Sequence, residues 1–168
     1  MGCGSEASKT REIPIGAKTE GAGGKEKSSA TIENPTSTAV IESKPDEISV
    51  VTRNEKGEPS KVSTRFDVKD LGIPLYPGSV KTAASPDDLS LETASTTTYL
   101  VTRFTDDSPE RVVEFFAKHL KDAEPYTFEN IATIRGKTKD GDSASVTATK
   151  EKESKRTRIA ISLERLNR

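Results

Sequence analysis

The stretch "TTTYLVTRFTDDSPERVVEFFAKHL" (residues 96–120) decides how the rest of the chain is read. Its first nine residues are rich in β-branched and aromatic side chains, which suit a pleated, half-buried surface. On such a strand Leu100 and Phe104 share one face, and Tyr99, Val101 and Arg103 share the other. The period then changes. Ser108 stands where its hydroxyl can accept from the free N–H groups of a first helical turn. Pro109 follows at the first helical position, where its missing donor removes nothing. Asp106, Asp107 and Glu110 fall at the positive end of the helix dipole, and Lys118 and Lys121 at the negative end. Val112, Phe115, Phe116 and Leu120 recur at i, i+3, i+4 and i+8, an apolar stripe that has to pack against something. Pro125 is expected to close this segment.

Three strand candidates follow: "FENIATIRG" (128–136), "SASVTATK" (143–150) and "TRIAISLERL" (157–166). Asp140-Gly141 between the first two predicts a tight type I′ hairpin. "EKESKR" (151–156) reads as a charged turn. In the last strand Ile159, Ile161 and Leu163 alternate with Arg158, Ala160 and Ser162, so one face is greasy and the other wet. Upstream, "ISVVTR" (48–53) and "KVSTRF" (61–66) read as strands around a turn holding Asn54 and Gly57, with Val62, Thr64 and Phe66 facing together. In "GIPLYPGSV" (72–80), Pro74 makes the stretch extended or an edge, and Pro77-Gly78 fits the centre of a type II turn. "SPDDLSLETAS" (85–95) reads as a polar loop. The assembly is an α+β domain, one helix packed on a mostly antiparallel sheet.

Composition bounds the rest. Of 168 residues, 31% are hydrophobic and 32% charged, so part of the chain is expected not to pack. Residues 1–45 read as a disordered tail or linker and 46–168 as the small α+β domain. Lysines and glutamates alternate along the tail, which is therefore not a polybasic membrane signal. A flexible coil of about 40 residues spans roughly 35 Å. Net charge is −1 and aromatics are 5%, which gives nucleic acid neither a field nor stacking platforms, and no nucleic-acid partner is expected. A single Cys excludes an internal disulfide and zinc-finger spacing.

The residues that carry chemistry elsewhere are poorly placed here. Cys3 is remote from His119, and His119 falls on the helix face with Phe115, as a boundary residue of a packed surface. "DGD" (140–142) lacks the oxygen ligands of a calcium loop. "GAGGK" (21–25) has no strand before it or helix after it to make a phosphate loop. "KEKESKR" (150–156) alternates signs as a solvated turn does. No catalytic residue, metal site or cofactor is expected, and the chain reads as a non-enzyme and a monomer.

Residues 72–80, the helix "TDDSPERVVEFFAKHL" (105–120) and the closing hairpin "IRGKTKDGDSASVTATK" (134–150) resemble a family of small exported bacterial proteins, many of them lipoproteins. The likeness spans residues 48–166. That family has a P-L-Y-P-G segment, a D-S-P-E-x-V-x-x-F helix and a Thr/Val-rich terminal hairpin. Its members often carry Gly-Trp after the helix; "EPYTF" (124–128) stands there instead, with Tyr126 or Phe128 filling the same space. The resemblance implies a fold and a compartment, not a reaction. It also bears on "GCGSEAS" (2–8), which is similar to the end of a lipobox and the start of a mature lipoprotein, making Cys3 a lipid-attachment residue. The apolar stretch that precedes such a cysteine is not in the sequence, so Met1 is expected to be a doubtful start. A eukaryotic-type acylation of Gly2 and Cys3 is the rival, although its pattern wants Ser or Thr where Glu6 stands.

The resulting expectation is a membrane-anchored module of the cell envelope, facing outside the cytoplasm, with a binding or structural role and an unknown protein partner. The alternatives are an acylated adaptor on the cytoplasmic face of a membrane, or a soluble enzyme or inhibitor that uses the open sheet face. Tyr99 and Arg103 are the partner-facing candidates on that sheet, and Tyr76 on the rigid Pro74–Gly78 lip.

Overall fold

The computed structural model describes residues 28–34, 37–44, 47–53, 56–64, 66–82 and 88–167. Ten strands and one helix run in the order β1 (Ser28–Asn34), β2 (Ser37–Lys44), β3 (Glu47–Arg53), β4 (Pro59–Ser63), β5 (Leu89–Glu92), β6 (Thr96–Thr105), α1 (Pro109–Ala117), β7 (Lys121–Phe128), β8 (Ile131–Lys137), β9 (Ser143–Lys150) and β10 (Thr157–Leu166). They form one sheet of order β1-β2-β3-β4-β5-β6-β10-β9-β8-β7. Every neighbouring pair is antiparallel. The architecture is broadly α+β and dominated by its sheet.

Helix α1 forms where the sequence places it. Ser108 has extended backbone angles and accepts from the Arg111 N–H, and Pro109 opens the helix. The chain leaves β6, crosses on α1 to the far edge of the sheet, and returns through β7, β8 and β9, so that β10 fills the place beside β6. The helix lies against β7, β8 and β9. Val112 and Phe116 are fully buried against Ala132, Ile134, Val146 and Ala148 in one cluster, which Ile159, Ile161 and Leu163 extend along β10. The segment 66–76 enters the same cluster through Leu71 and Ile73, with Phe66, Val68, Leu75 and Tyr76 around them. Helix and segment together cover one face of the sheet at β6 to β10. Among the described residues no buried side-chain polar atom lacks a partner.

Gly136 marks the tightest approach under the chain that leaves the helix. A Cβ there would stand 2.7 Å from the Lys121 carbonyl oxygen and 3.0 Å from Leu120 Cβ. The carbonyl is backbone and cannot swing away. Gly136→Ala is therefore expected to lower stability by about 1–3 kcal/mol, read as a lower urea midpoint at unchanged m.

Several expectations are corrected. The stretch 1–45 read as a tail contains two strands: β1 and β2 carry the sheet outward to Ser28. The alternation there is short, and a lone hairpin of such residues is marginal in water. In register with β3, where Ile41 faces Val50 and Ala39 faces Thr52, the pair extends an existing ladder. The polar stretch 85–95 likewise contains β5, whose Leu91 faces Val62 and whose Leu89 faces Leu100. "FENIATIRG" is divided: Phe128 ends β7, Glu129 and Asn130 turn, and β8 begins at Ile131. Pro125 sits inside β7, at an outer edge where a missing N–H is tolerated.

The β8–β9 turn is not type I′. Asp140 is absent from the positive-φ residues, while Gly141 has φ 89°. The Gly141 N–H donates to the Thr138 carbonyl, and the Thr138 N–H to that of Asp142. The buried Thr138 hydroxyl accepts from the Asp140 and Asp142 N–H groups, so a side chain organises a longer loop. The type II turn is present: the Ser79 N–H donates to Tyr76 carbonyl at 3.1 Å, and Gly78 has φ 70°.

Candidate functional site

Cys3 and "GAGGK" lie outside the described residues, as does Asn54. The three partner-facing candidates are all engaged within the fold. Tyr99, Val101 and Arg103 do share a face, but it is the covered one. This corrects their placement on an open surface, and the reason is register: Tyr99, Val101 and Arg103 stand opposite Leu163, Ile161 and Ile159 of the greasy side of β10. Arg103 is only 8% exposed and grips Asp88 through both guanidinium nitrogens, at 2.6 and 2.8 Å. Tyr99 packs between Phe66, with ring centroids 5.0 Å apart, and Arg165, whose guanidinium carbon is 5.6 Å from the ring centre. Arg165 in turn donates to Asp142 and to the Asp70 carbonyl, each at 2.8 Å.

Tyr76 ties the Pro-Gly lip to the helix. Its phenol donates to Asp107 at 2.7 Å and its ring meets Phe115 edge-on at 5.3 Å. Asp106 and Asp107 are thus more than dipole partners: Asp106 accepts from Arg156, and the Asp107 carbonyl accepts from the Thr157 hydroxyl. Burial, with the hydrogen bond to Asp107 second, pushes the Tyr76 phenol up to about 12. The hydrogen bond from Tyr76 in turn holds the Asp107 carboxyl below its usual range, against a smaller opposing effect of desolvation.

The signs define two windows. The Asp107 contribution is present above the unfolded carboxylate value of about 3.9 and is lost as pH falls through the lower folded value. The Tyr76 contribution is complete below the unfolded value of about 10 and is lost as pH rises through the folded one. Tyr76→Phe is expected to flatten both limbs of a plot of urea midpoint against pH, and to delete a tyrosinate absorbance step near pH 12. A variant with the parent's pH profile would contradict this coupling.

His119 is exposed and tilts over Phe115 at 4.6 Å, the boundary position the helix pattern implies. Asp142 of "DGD" is bound to Arg165. Among the described residues no group of three or more His, Cys, Asp or Glu could hold a metal ion. No helix among them is long and apolar enough to cross a membrane.

What the structure leaves uncovered is the other face of the sheet. At its β2–β6 end, Ile41, Val50, Val62 and Leu91 stand in one cross-strand row. Leu89 and Leu100 face each other in the next row, and Ile48 extends it. Ile48, Val62, Leu91 and Leu100 are exposed. This reverses the expected sides of β4: Val62 faces outward and Ser63 is buried, its hydroxyl donating to Glu47. Alternation alone identified the strand, but only pairing with β5 decided which side was covered.

Further along the same face the side chains turn polar. Arg135 faces Ser145, and Ser145 faces Ser162. Lys137, Ser143 and Glu164 form the adjoining row. The small serines floor an open depression of about 460 Å³ between the longer side chains. On β7, Tyr126 and Phe128 project from this face instead of filling the core, which corrects their expected role in place of a tryptophan. With α1 packed on the opposite face, no inward space remains for them. Their alternation in "PYTF" is the sequence signal that could have shown they share a face. Compared with known proteins, the chain matches no family model, and no curated protein or solved structure is significantly similar to it.

Proposed function

We propose that this protein is a membrane-anchored binding module, tethered through Cys3 and facing outside the cytoplasm, whose partner docks on the uncovered β2–β6 face. The observation that carries the binding role is the aliphatic surface formed by Val62, Leu91, Leu100 and Ile48, four exposed apolar side chains on one sheet face. Solvated sheet faces ordinarily alternate to polar residues there, and a contiguous apolar patch marks an interaction surface. The anchor is supported by "GCGS" (2–5), a cysteine between small residues with nothing in its sequence neighbourhood to give it another task. The likeness of residues 48–166 to exported lipoproteins points the same way.

Two measurements test the reading. In the native cell, the parent protein should incorporate a clickable fatty acid and sediment with membranes, and Cys3→Ser should lose both properties. A Cys3→Ser protein that still carries label, or a parent found only in the soluble fraction without label, overturns the anchor. For the binding surface, Leu91→Lys with Leu100→Lys should abolish crosslinking to a membrane-associated partner while leaving the thermal midpoint nearly unchanged, because both side chains are already exposed. Undiminished crosslinking by that variant overturns the docking face.

A further inference from the structure

The opposite end of the open face has a different chemistry. Tyr126 is 67% and Phe128 58% exposed, and Ile131 stands opposite Phe128 on β8. The row continues through Thr149 to Arg158. Tyr126 faces Thr133 in the next row, and Arg135 and Lys137 follow along β8. Arg135, Lys137 and Arg158 form no ion pair among the described residues. The carboxylates near them are Asp122 and Glu124, which line the same depression as Arg135 and Lys137, Glu164, beyond Ser143 in the row of Lys137, and Glu129 in the turn.

This end does not continue the aliphatic surface. Neighbouring strands rotate by about 20–25°, so five steps from β4 to β8 turn the face by roughly 100° or more. Nor does it invite an added strand. Pro125, Lys121 and the irregular register between Lys121 and Glu124 all blunt the β7 edge. What remains is a set of rings at the surface with unpaired cations around them. Amphipathic rings settle at the headgroup level of a bilayer, apolar side chains enter just below, and long cationic stems reach the phosphates.

We propose that the β7–β8 open face is a second membrane contact that seats on anionic lipid, with Tyr126, Phe128 and Ile131 at the headgroup boundary and Arg135, Lys137 and Arg158 on lipid phosphates. The inference rests on the reading of Cys3 as a membrane anchor and adds orientation to it. An anchor at a single residue leaves the orientation of the domain open; a second contact turns the aliphatic β2–β6 face to the side.

The test uses full-length Cys3→Ser protein, which carries no acyl chain at that position, in flotation with vesicles of phosphatidylcholine alone and of phosphatidylcholine mixed with phosphatidylglycerol. The protein is expected to float with the anionic vesicles, less so as salt rises, and weakly or not at all with the neutral ones. Tyr126→Ser with Phe128→Ser should weaken binding about tenfold or more. Arg135→Gln, Lys137→Gln and Arg158→Gln should each weaken it roughly fivefold and, combined, erase the anionic preference. Circular dichroism and thermal midpoints should match the parent. Failure of the Cys3→Ser protein to float with either vesicle, or full binding by the double aromatic variant, overturns the proposal. Capture of a protein by this patch without vesicle binding does so too. Because the readout needs no acylation, its failure leaves the anchor intact, and failure of acylation leaves this contact standing.

Discussion

Phe116→Ala is expected to lower the free energy of unfolding by about 3–5 kcal/mol. Phe116 is fully buried, at the point where α1 meets the sheet, and its ring stands edge-on to Phe115 at 5.1 Å. Truncation removes the transfer free energy of the ring and leaves a cavity walled by Ala132, Val146, Ala148 and other side chains of one cluster. The alanines cannot reach in to fill it, and the antiparallel ladder beneath them holds the backbone apart. Phe116→Leu, which keeps much of the volume, should lose considerably less. Phe115→Ala should also lose less, because that ring is only half-buried. Urea unfolding of the three variants gives the order. A loss below about 1 kcal/mol for Phe116→Ala would mean that α1 does not seal the sheet.

The second large effect is at Arg103. Its side chain is 9% and that of Asp88 15% exposed, and the two form a two-pronged pair inside the covered face. Removing the guanidinium leaves a carboxylate with its partner gone in a place water reaches poorly. Arg103→Ala is expected to destabilise the protein by about 3 kcal/mol, near the lower end for a broken buried pair because some exposure remains. Arg103→Lys should recover only part of this, since a point charge cannot match both oxygens. Arg103→Met with Asp88→Leu should recover most of it, because no buried charge is then left over. A double variant as unstable as Arg103→Ala would show that the pair's value lies in shape or hydrogen bonding to the Thr102 carbonyl, which Arg103 also contacts.

Much of the fold was legible because local physics and burial agree there. Ser108-Pro109 and the Val112/Phe116/Leu120 stripe signal a helix whether or not a sheet exists to receive it. Ile159, Ile161 and Leu163 alternate so strongly that only one face of β10 can be covered. Where local signals are weak, pairing decided. β1, β2 and β5 carry little amphipathic pattern, and what holds them is hydrogen bonding to the strands beside them: β1 to β2, β2 to β3, and β5 to both β4 and β6. Thr138 redirected the β8–β9 loop through a side-chain acceptor that a Asp-Gly dipeptide does not announce.

The candidate surfaces were less legible than the fold. Tyr99 and Arg103 were recognised as sharing a face, but a strand's period of two says nothing about which of its faces is buried; that depends on what β10 places opposite. The same ambiguity put Val62 on the wrong side. By itself the sequence determined one amphipathic helix and the alternation of the closing strands. Only the tertiary structure decided which sheet face lies open, because covering one side of a sheet is a property of all its strands together and of the elements that come to rest on it.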